Sequence, residues 1–234
     1  MRYLSLYENY GKEVGTQAKT IQIPVPRGGE IEAMVNAFSS GDLGYHGGSL
    51  INKSDYLTDY YRGDLPYTGY YFFSNPEDAL SRGNRSTSES EFSVVDFSKY
   101  NLYKPSTSEY WTVFYALKSI ETFLLKGKDI EYIFDSSRVN QIIQFRGIGE
   151  LIFTNKDNIV KWFTDWKASS KINLGGVGAK ERFETFFMKK LGYEGVDVRN
   201  LKESRYGDAS PDTAQFGSVI FDLKPNTVKR FKAI

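Results

Sequence analysis

The spacing of apolar residues changes several times along the chain, which predicts a mixture of strands and helices. Short apolar or alternating runs bounded by turn residues predict strands in five segments, which read KTIQIPVP, YYFFS, FSVVDF, YEGVDVR and FGSVIFD. Strands and helices do not alternate strictly, so we expect an α+β fold rather than a doubly wound parallel sheet.

Apolar residues at helical spacing predict three helices in the second half of the chain. The longest, SEYWTVFYALKSIETFLLKGKD, has an apolar face made of Trp111, Phe114, Leu117, Ile120, Leu124 and Leu125, and we expect it to end near Gly127. The second reads DNIVKWFTDWKASS, with Ile159, Trp162, Phe163 and Trp166 on one face, and the third, AKERFETFFMKKLG, ends at Gly192. We expect both apolar faces to be core.

Two shorter helices are predicted nearer the N-terminus. GEIEAMVNAFSSG carries apolar residues at helical spacing and has Gly41 beyond its end. In NPEDALSRG, Asn75 is a capping candidate and Pro76 suits the first helical position. This second helix follows the predicted strand YYFFS directly.

Composition indicates one folded domain with no global charge preference. The chain has 234 residues, 40% hydrophobic and 25% charged, so it can bury a sizeable core, and we expect a single domain over residues 1–234. Its 30 basic residues nearly balance 29 acidic ones, so nucleic acid or an anionic membrane would have to bind at a local patch such as KPNTVKRFK.

Cysteine and histidine counts limit the chemistry. With no cysteine and one histidine, the chain has no disulfide or thiolate chemistry and little scope for a metal site, so we expect no metal. We find no signal peptide and no apolar run of membrane-spanning length, so we expect a soluble, cytoplasmic protein with no membrane partner.

Three local motifs carry little functional weight. GGVGA at residues 175–179 follows a segment, SSKINL, that is not a convincing strand, and we expect a structural turn there rather than a phosphate site. RSTSES has no histidine nearby in sequence and is interpreted as a solvated loop. Carboxylate pairs such as Asp197 with Asp208 cannot be assigned as acid and base, because the sequence gives no separation between them.

The single histidine lies in a more specific context, GYHGGS at residues 44–49. An isolated histidine is most often a structural hydrogen-bonding residue. Here Gly47 and Gly48 follow it and permit close approach of the backbone to a ligand. A planar group could then pair with the main chain while the His46 imidazole reaches a neighbouring hydroxyl.

Together with the downstream segment TGYYFFSNPEDAL and the strand FSVVDF, this motif resembles the ADP-ribosyltransferase superfamily. The resemblance is to the class of diphtheria toxin and the poly(ADP-ribose) polymerases, and within it to small transferase domains of bacteriophages and bacterial mobile elements. It covers residues 43–104 and, less fully, 191–231. It implies a split β-sandwich of two small sheets with flanking helices, into which a helical insertion at about residues 106–190 would be placed.

The resemblance also implies roles for individual residues. His46 would hydrogen-bond a ribose hydroxyl of NAD, Gly47 would pair its backbone with the nicotinamide carboxamide, and Tyr71 would stack on the nicotinamide ring. Tyr70 is the rival for the last role, because adjacent strand residues face opposite sides and one of the two should be core.

Two positions depart from the family pattern. The family often places a second stacking tyrosine eleven residues after the first, where this chain has Arg82, which can stack or bind the NAD pyrophosphate. The third catalytic residue is usually a glutamate near the start of the last strand. The candidates here are Gln215 and Asp212, whereas counting back from Phe221 by the family's spacing gives Gly217. Glutamine can bind a ribose hydroxyl but cannot act as a base.

These observations predict an NAD-dependent mono-ADP-ribosyltransferase, with NAD as its substrate, no metal, and an unknown acceptor for which we expect a protein rather than nucleic acid. The missing glutamate favours transfer of a single ADP-ribose, NAD hydrolysis or loss of activity over chain elongation. Two alternatives stay open: an inactive relative that serves as a binding or virion-associated protein, and an NAD glycohydrolase toxin. The chain length suggests a monomeric, stand-alone bacterial or phage effector.

Overall fold

A computed structural model describes most of the second half of the chain and selected segments of the first half. The described residues are 20–23, 35–36, 41–47, 67–77, 79, 91–169, 172–174, 177–199, 201, 218–224 and 226–233. The architecture that follows is that of these residues.

The strands form two small sheets and a hairpin, and the described part of the chain is α+β. In chain order they are β1 (Thr20–Ile23), β2 (Leu43–Gly47), β3 (Tyr70–Phe72), β4 (Glu91–Asp96), β5 (Leu102–Tyr103), β6 (Ile172–Leu174), β7 (Val177–Ala179), β8 (Gly195–Val196), β9 (Ser218–Ile220) and β10 (Val228–Ala233).

Each sheet mixes parallel and antiparallel neighbours. The first, sheet A, has the strand order β1-β10-β4-β2, and only β1 and β10 run parallel. The second, sheet B, has the order β3-β9-β8-β5, with β5 parallel to β8. Two strands that are close in sequence, β2 and β3, are therefore edge strands of different sheets.

The described helices with full bounds lie between residues 107 and 190. They are α1 (Thr107–Leu125), α2 (Ile130–Asp135), α3 (Ser137–Asn140), α4 (Ile148–Thr154), α5 (Ile159–Ala168) and α6 (Phe183–Lys190). Helix α1 begins in a capping box, in which the Ser106 hydroxyl accepts from the Glu109 backbone N–H and the Glu109 carboxylate accepts from Ser106 N–H. It ends before Gly127, whose φ of 68° suits glycine.

Most predicted elements are confirmed. All five predicted strands are present as β1, β3, β4, β8 and β9, and the three long helices as α1, α5 and α6. Of the two N-terminal helices only parts are described: Val35 and Asn36 are helical in the first, and Pro76, Glu77 and Ala79 in the second.

One expectation about these elements is wrong, and another is confirmed only in part. Residues 172–174 are a strand, β6, which pairs with β7, so the GGVGA segment contributes to a hairpin rather than following a loop. On α1, Leu125 is 60% exposed and Trp111 is half-buried, whereas Val113 and Ala116 are buried. Phe114, Leu117 and Ile120 of the predicted face are buried, so the core-facing side of α1 consists of part of that face together with Val113 and Ala116.

Three clusters of buried hydrophobic residues show how the two sheets and the helices pack together. One contains Val95 and Val228 of sheet A together with Phe72 and Ile220 of sheet B, so the two sheets pack against each other. A second covers the other face of sheet A, with Tyr45 and Phe231 among its members.

The largest cluster joins the helices to the other face of sheet B, where Val196 and Val219 pack with Leu117, Ile120 and Phe187. Sheet B is thus covered on both faces. No described helix is both long enough and apolar enough to cross a bilayer.

Candidate functional site

The edge strands β2 and β3 meet through a single antiparallel bridge between Tyr45 and Phe73. Tyr45 N–H donates to the Phe73 carbonyl at 3.0 Å, and Phe73 N–H donates to the Tyr45 carbonyl at 2.6 Å. This bridge connects sheet A to sheet B. It places the predicted residues His46 and Tyr71 beside each other although 25 positions separate them in sequence.

The His46 imidazole bonds directly to the backbone of Tyr71. Nδ1 lies 2.7 Å from the Tyr71 carbonyl oxygen. Since a carbonyl only accepts, Nδ1 carries the proton of this hydrogen bond, which in a neutral imidazole puts the lone pair at Nε2. The ring also meets the buried Phe72 ring edge-on, with centroids 5.8 Å apart. The two contacts fix both the tautomer and the orientation of the half-buried imidazole.

Tyr70 and Tyr71 lie on opposite faces of β3. Tyr70 is 4% exposed and belongs to the cluster between the sheets. Tyr71 is half-buried against the helical cluster, and its hydroxyl donates to the Tyr67 carbonyl at 2.6 Å. Of the two rivals, Tyr70 is therefore the core residue and Tyr71 the one that can offer part of its ring to a ligand.

The backbone of Gly47 points away from sheet A. Residues of a strand direct their N–H and C=O groups alternately to either side. Tyr45 uses the side of β2 that faces Phe73, while β4 lies on the opposite side. Gly47, two residues on, directs its backbone groups to the same side as Tyr45, next to His46.

The segment before β3 is held by the start of α6. Thr68 N–H donates to the Thr185 hydroxyl at 2.6 Å, and Arg182 N–H donates to the Thr68 hydroxyl at 3.0 Å. Gly69 follows, and a Cβ there would overlap the Ile220 carbonyl of β9, so glycine is needed for this close approach. The helical half of the chain thereby sets the position of Tyr71.

The three candidates for the third catalytic position, Asp212, Gln215 and Gly217, lie outside the described residues. So does Arg82. The described chain resumes at Ser218, the first residue of β9, directly opposite Phe72 of β3. Gln215 precedes Ser218 by three positions in the sequence.

Sequence reasoning missed an ion cluster at the opposite end of β2. Arg199 donates to both carboxylate oxygens of Asp197, at 2.9 and 2.7 Å, and pairs with Asp42 at 2.5 Å. Its guanidinium lies 4.5 Å from the Phe97 ring centroid. The motif VDVR contains two of these residues, but Asp42 is too distant in sequence to be linked to them by any local pattern.

Asp197 in this cluster is a structural carboxylate. It is buried, and the Ser218 hydroxyl also donates to it at 2.6 Å. Burial alone would raise the pKa of Asp197, but the hydrogen bonds from Arg199 and Ser218 outweigh this effect and hold the pKa at about 2. An acid with such a pKa stays ionised at neutral pH and is unsuited to donate a proton.

A second buried carboxylate, Glu184, lies on α6 next to Thr185. Burial raises its pKa, and the neighbouring Arg182 opposes this shift with its Nε 3.6 Å from the carboxylate. One Glu184 oxygen and the Tyr67 hydroxyl are buried without a hydrogen bond in the described part of the chain. Neither residue was singled out from the sequence, since a glutamate in an amphipathic helix is ordinarily exposed.

Within the described residues, no group of three or more acidic or histidine side chains is arranged to hold a metal ion. Comparison with models of protein families, with curated proteins and with solved structures finds no match to this chain.

Proposed function

We propose that the protein is an NAD-dependent mono-ADP-ribosyltransferase. The observation that carries this proposal is the junction of β2 and β3, where the His46 imidazole bonds to the Tyr71 backbone across two sheets. The fold we propose is a split β-sandwich of this superfamily in one domain over residues 1–234. Residues 106–190 would be its helical insertion.

NAD would bind at the edge of β2 and β3. Gly47 directs its backbone groups to the side on which a carboxamide could pair with them. The half-buried Tyr71 ring, anchored through its hydroxyl, would stack on nicotinamide. With Nδ1 bonded to a carbonyl, His46 would accept a hydrogen bond at Nε2 from a ribose hydroxyl. Arg82 would meet the pyrophosphate.

The reaction would break the bond between the nicotinamide nitrogen and ribose C1′, and the bonding electrons would leave with nicotinamide. Positive charge then develops on the ribose, so a site that holds both fragments rigidly favours this transition state. The acceptor nucleophile would form the new bond to C1′ and lose its proton to solvent water. Gln215 or Asp212 would contact the ribose, and a glutamine there would orient it without acting as a base.

Labelled NAD tests the proposal. Purified protein is incubated with NAD labelled in its adenylate half and with bacterial lysate, and label is followed on macromolecules and as free ADP-ribose. We compare wild type with His46→Ala and Tyr71→Ala, and use Tyr132→Ala, an exposed aromatic on α2, as the matched control. We expect macromolecular label with wild type and Tyr132→Ala, and at least about a hundredfold less with the two site variants.

Each other outcome is diagnostic. Free ADP-ribose without macromolecular label would replace the transferase by an NAD glycohydrolase. Absence of NAD binding in calorimetry would contradict both enzymes and favour an inactive binding or virion-associated protein. For the third catalytic position, Gln215→Ala and Asp212→Ala are compared at saturating NAD. Full activity in both variants would show that neither residue occupies this position.

A further inference from the structure

A groove of about 960 Å³ opens on the helical side of the molecule, apart from the junction of β2 and β3. Trp111, Thr112 and Tyr115 line it from α1, and Arg138 of α3 and the following Gln141 line it from the opposite side. Pockets for small ligands in proteins occupy roughly 300–1,000 Å³. The groove is therefore large enough for a small organic ligand.

One wall of the groove is aromatic. The rings of Trp111 and Tyr115, one helical turn apart, lie nearly parallel at 26° with centroids 6.0 Å apart. Tyr115 is 44% exposed, so part of its ring is accessible to a ligand. Adjacent, nearly parallel rings offer a surface on which a flat heteroaromatic group can stack.

The opposite wall is cationic and hydrogen-bonding. Among the described residues that line the groove, Arg138 is the only charged one, and none is an aspartate or glutamate. The ion pairs among the described residues do not include Arg138. Gln141 adds an amide on this wall, while Thr112 on the α1 wall has a hydroxyl that donates to the Ser108 carbonyl at 2.8 Å and can accept from a ligand. The groove thus complements a ligand that is both aromatic and anionic.

Thr107 and Ser108 of the first turn of α1 also line the groove. A capping box of Ser106 and Glu109 satisfies the Glu109 N–H at this end of the helix. The charged group in the groove is the Arg138 guanidinium.

We propose that this groove binds a free nucleoside monophosphate. Its base would stack on Trp111 and Tyr115, its phosphate would pair with Arg138, and Gln141 and Thr112 would hydrogen-bond the base edge or the ribose. A polynucleotide would need several cations along its backbone, whereas the groove has one and the chain carries a net charge of only +1. The proposal does not depend on the NAD site.

Calorimetric titration with AMP tests it. Adenosine and ribose 5-phosphate, which lack the phosphate and the base respectively, should each bind more weakly than AMP. We expect Trp111→Ala and Tyr115→Ala to weaken AMP binding about tenfold or more through lost stacking. Arg138→Gln should weaken it roughly fivefold or more and make it insensitive to salt. The matched controls Tyr132→Ala and Arg146→Gln, exposed residues outside the groove, should bind like wild type.

Circular dichroism of every variant distinguishes a loss of AMP binding from a loss of folding. Tyr115→Ala is the more secure of the two aromatic substitutions, because Tyr115 is exposed. Because AMP is also part of NAD, the titration is repeated with His46→Ala, which should bind AMP normally. Loss of AMP binding in His46→Ala with retention in Trp111→Ala would overturn the proposal. So would an absence of AMP binding to folded wild type, or binding of oligothymidylate in its place. None of these outcomes would change the result of the NAD-labelling experiment, which tests the transferase activity separately.

Discussion

At the residue scale, Gly44 shows how a missing side chain positions the candidate site. It lies in the middle of β2, and a Cβ at this position would overlap the Phe97 ring. Phe97 in turn meets Phe72 edge-on at 5.6 Å, and Phe72 meets the His46 ring. The absence of a side chain at Gly44 therefore allows a chain of aromatic contacts that ends at the imidazole.

We predict that Gly44→Ala destabilises the fold by about 2 kcal/mol, because the added methyl overpacks a core without room for it. Gly127→Ala is the control, since its Cβ would meet no atom and only the positive φ is costly, at about 1 kcal/mol. Urea unfolding of both variants measures the difference. Equal losses of stability would show that Phe97 can move aside.

At the element scale, the Asp197 cluster joins the ends of strands from both sheets. Asp42 precedes β2, Asp197 follows β8, and Ser218 begins β9. Arg199 also donates to the Leu43 carbonyl at 3.2 Å. A single guanidinium therefore links the first residue of an edge strand in sheet A to the end of β8 in sheet B.

This cluster predicts a loss of stability in acid. The pKa of Asp197 in the folded chain is about 2, below the value of about 3.9 in unfolded chains, so the folded state favours the ionised form. The resulting stabilisation is complete above about pH 4 and is lost as the pH falls toward 2. Its size is about 2 kcal/mol. Urea unfolding between pH 7 and pH 2.5 measures it.

Asp197→Asn should remove that part of the pH dependence and lower the stability at pH 7 by roughly 3 kcal/mol, since Arg199 loses its main buried partner. Asp165→Asn, at an exposed position on α5, is the control and should leave both the profile and the stability unchanged. An unaltered acid slope in Asp197→Asn would assign the pH dependence to other carboxylates.

At the scale of the whole molecule, the helices and sheet B share one core. Leu117 and Ile120 of α1 pack in the same cluster as Val196 of β8 and Val219 of β9. The helical segment would therefore leave one face of sheet B uncovered if it unfolded alone. The same cluster includes Tyr67, whose carbonyl anchors the Tyr71 hydroxyl.

We predict a single cooperative unfolding transition for helices and sheets. All three tryptophans lie on α1 and α5, so their fluorescence reports the helices, while hydrogen exchange of Val219 and Ile220 reports sheet B. Both probes should give the same urea midpoint. Leu117→Ala should shift both together by about 3 kcal/mol. Different midpoints would show that the helical segment folds independently.

The sequence by itself determined the α+β class and the positions of five strands and three long helices among the described elements. The strands β3, β4 and β9 and the helices α1, α5 and α6 follow from apolar spacing and from turn residues such as Gly127 and Gly192, which are local features. The strands β5, β6, β7 and β10 and the short helices α2, α3 and α4 escaped this reasoning, because burial and pairing depend on neighbours elsewhere in the chain.

Only the tertiary structure decided which residues meet. The sequence singled out His46 and Tyr71 separately, but their contact requires the bridge between two edge strands of different sheets. The choice of Tyr70 as the core residue, the Asp197 cluster and the groove at Trp111 and Arg138 likewise depend on chain segments far apart in sequence. The local spacing of residues determines the backbone conformation of each element, whereas long-range packing determines the distances between side chains of different elements. A functional site requires both.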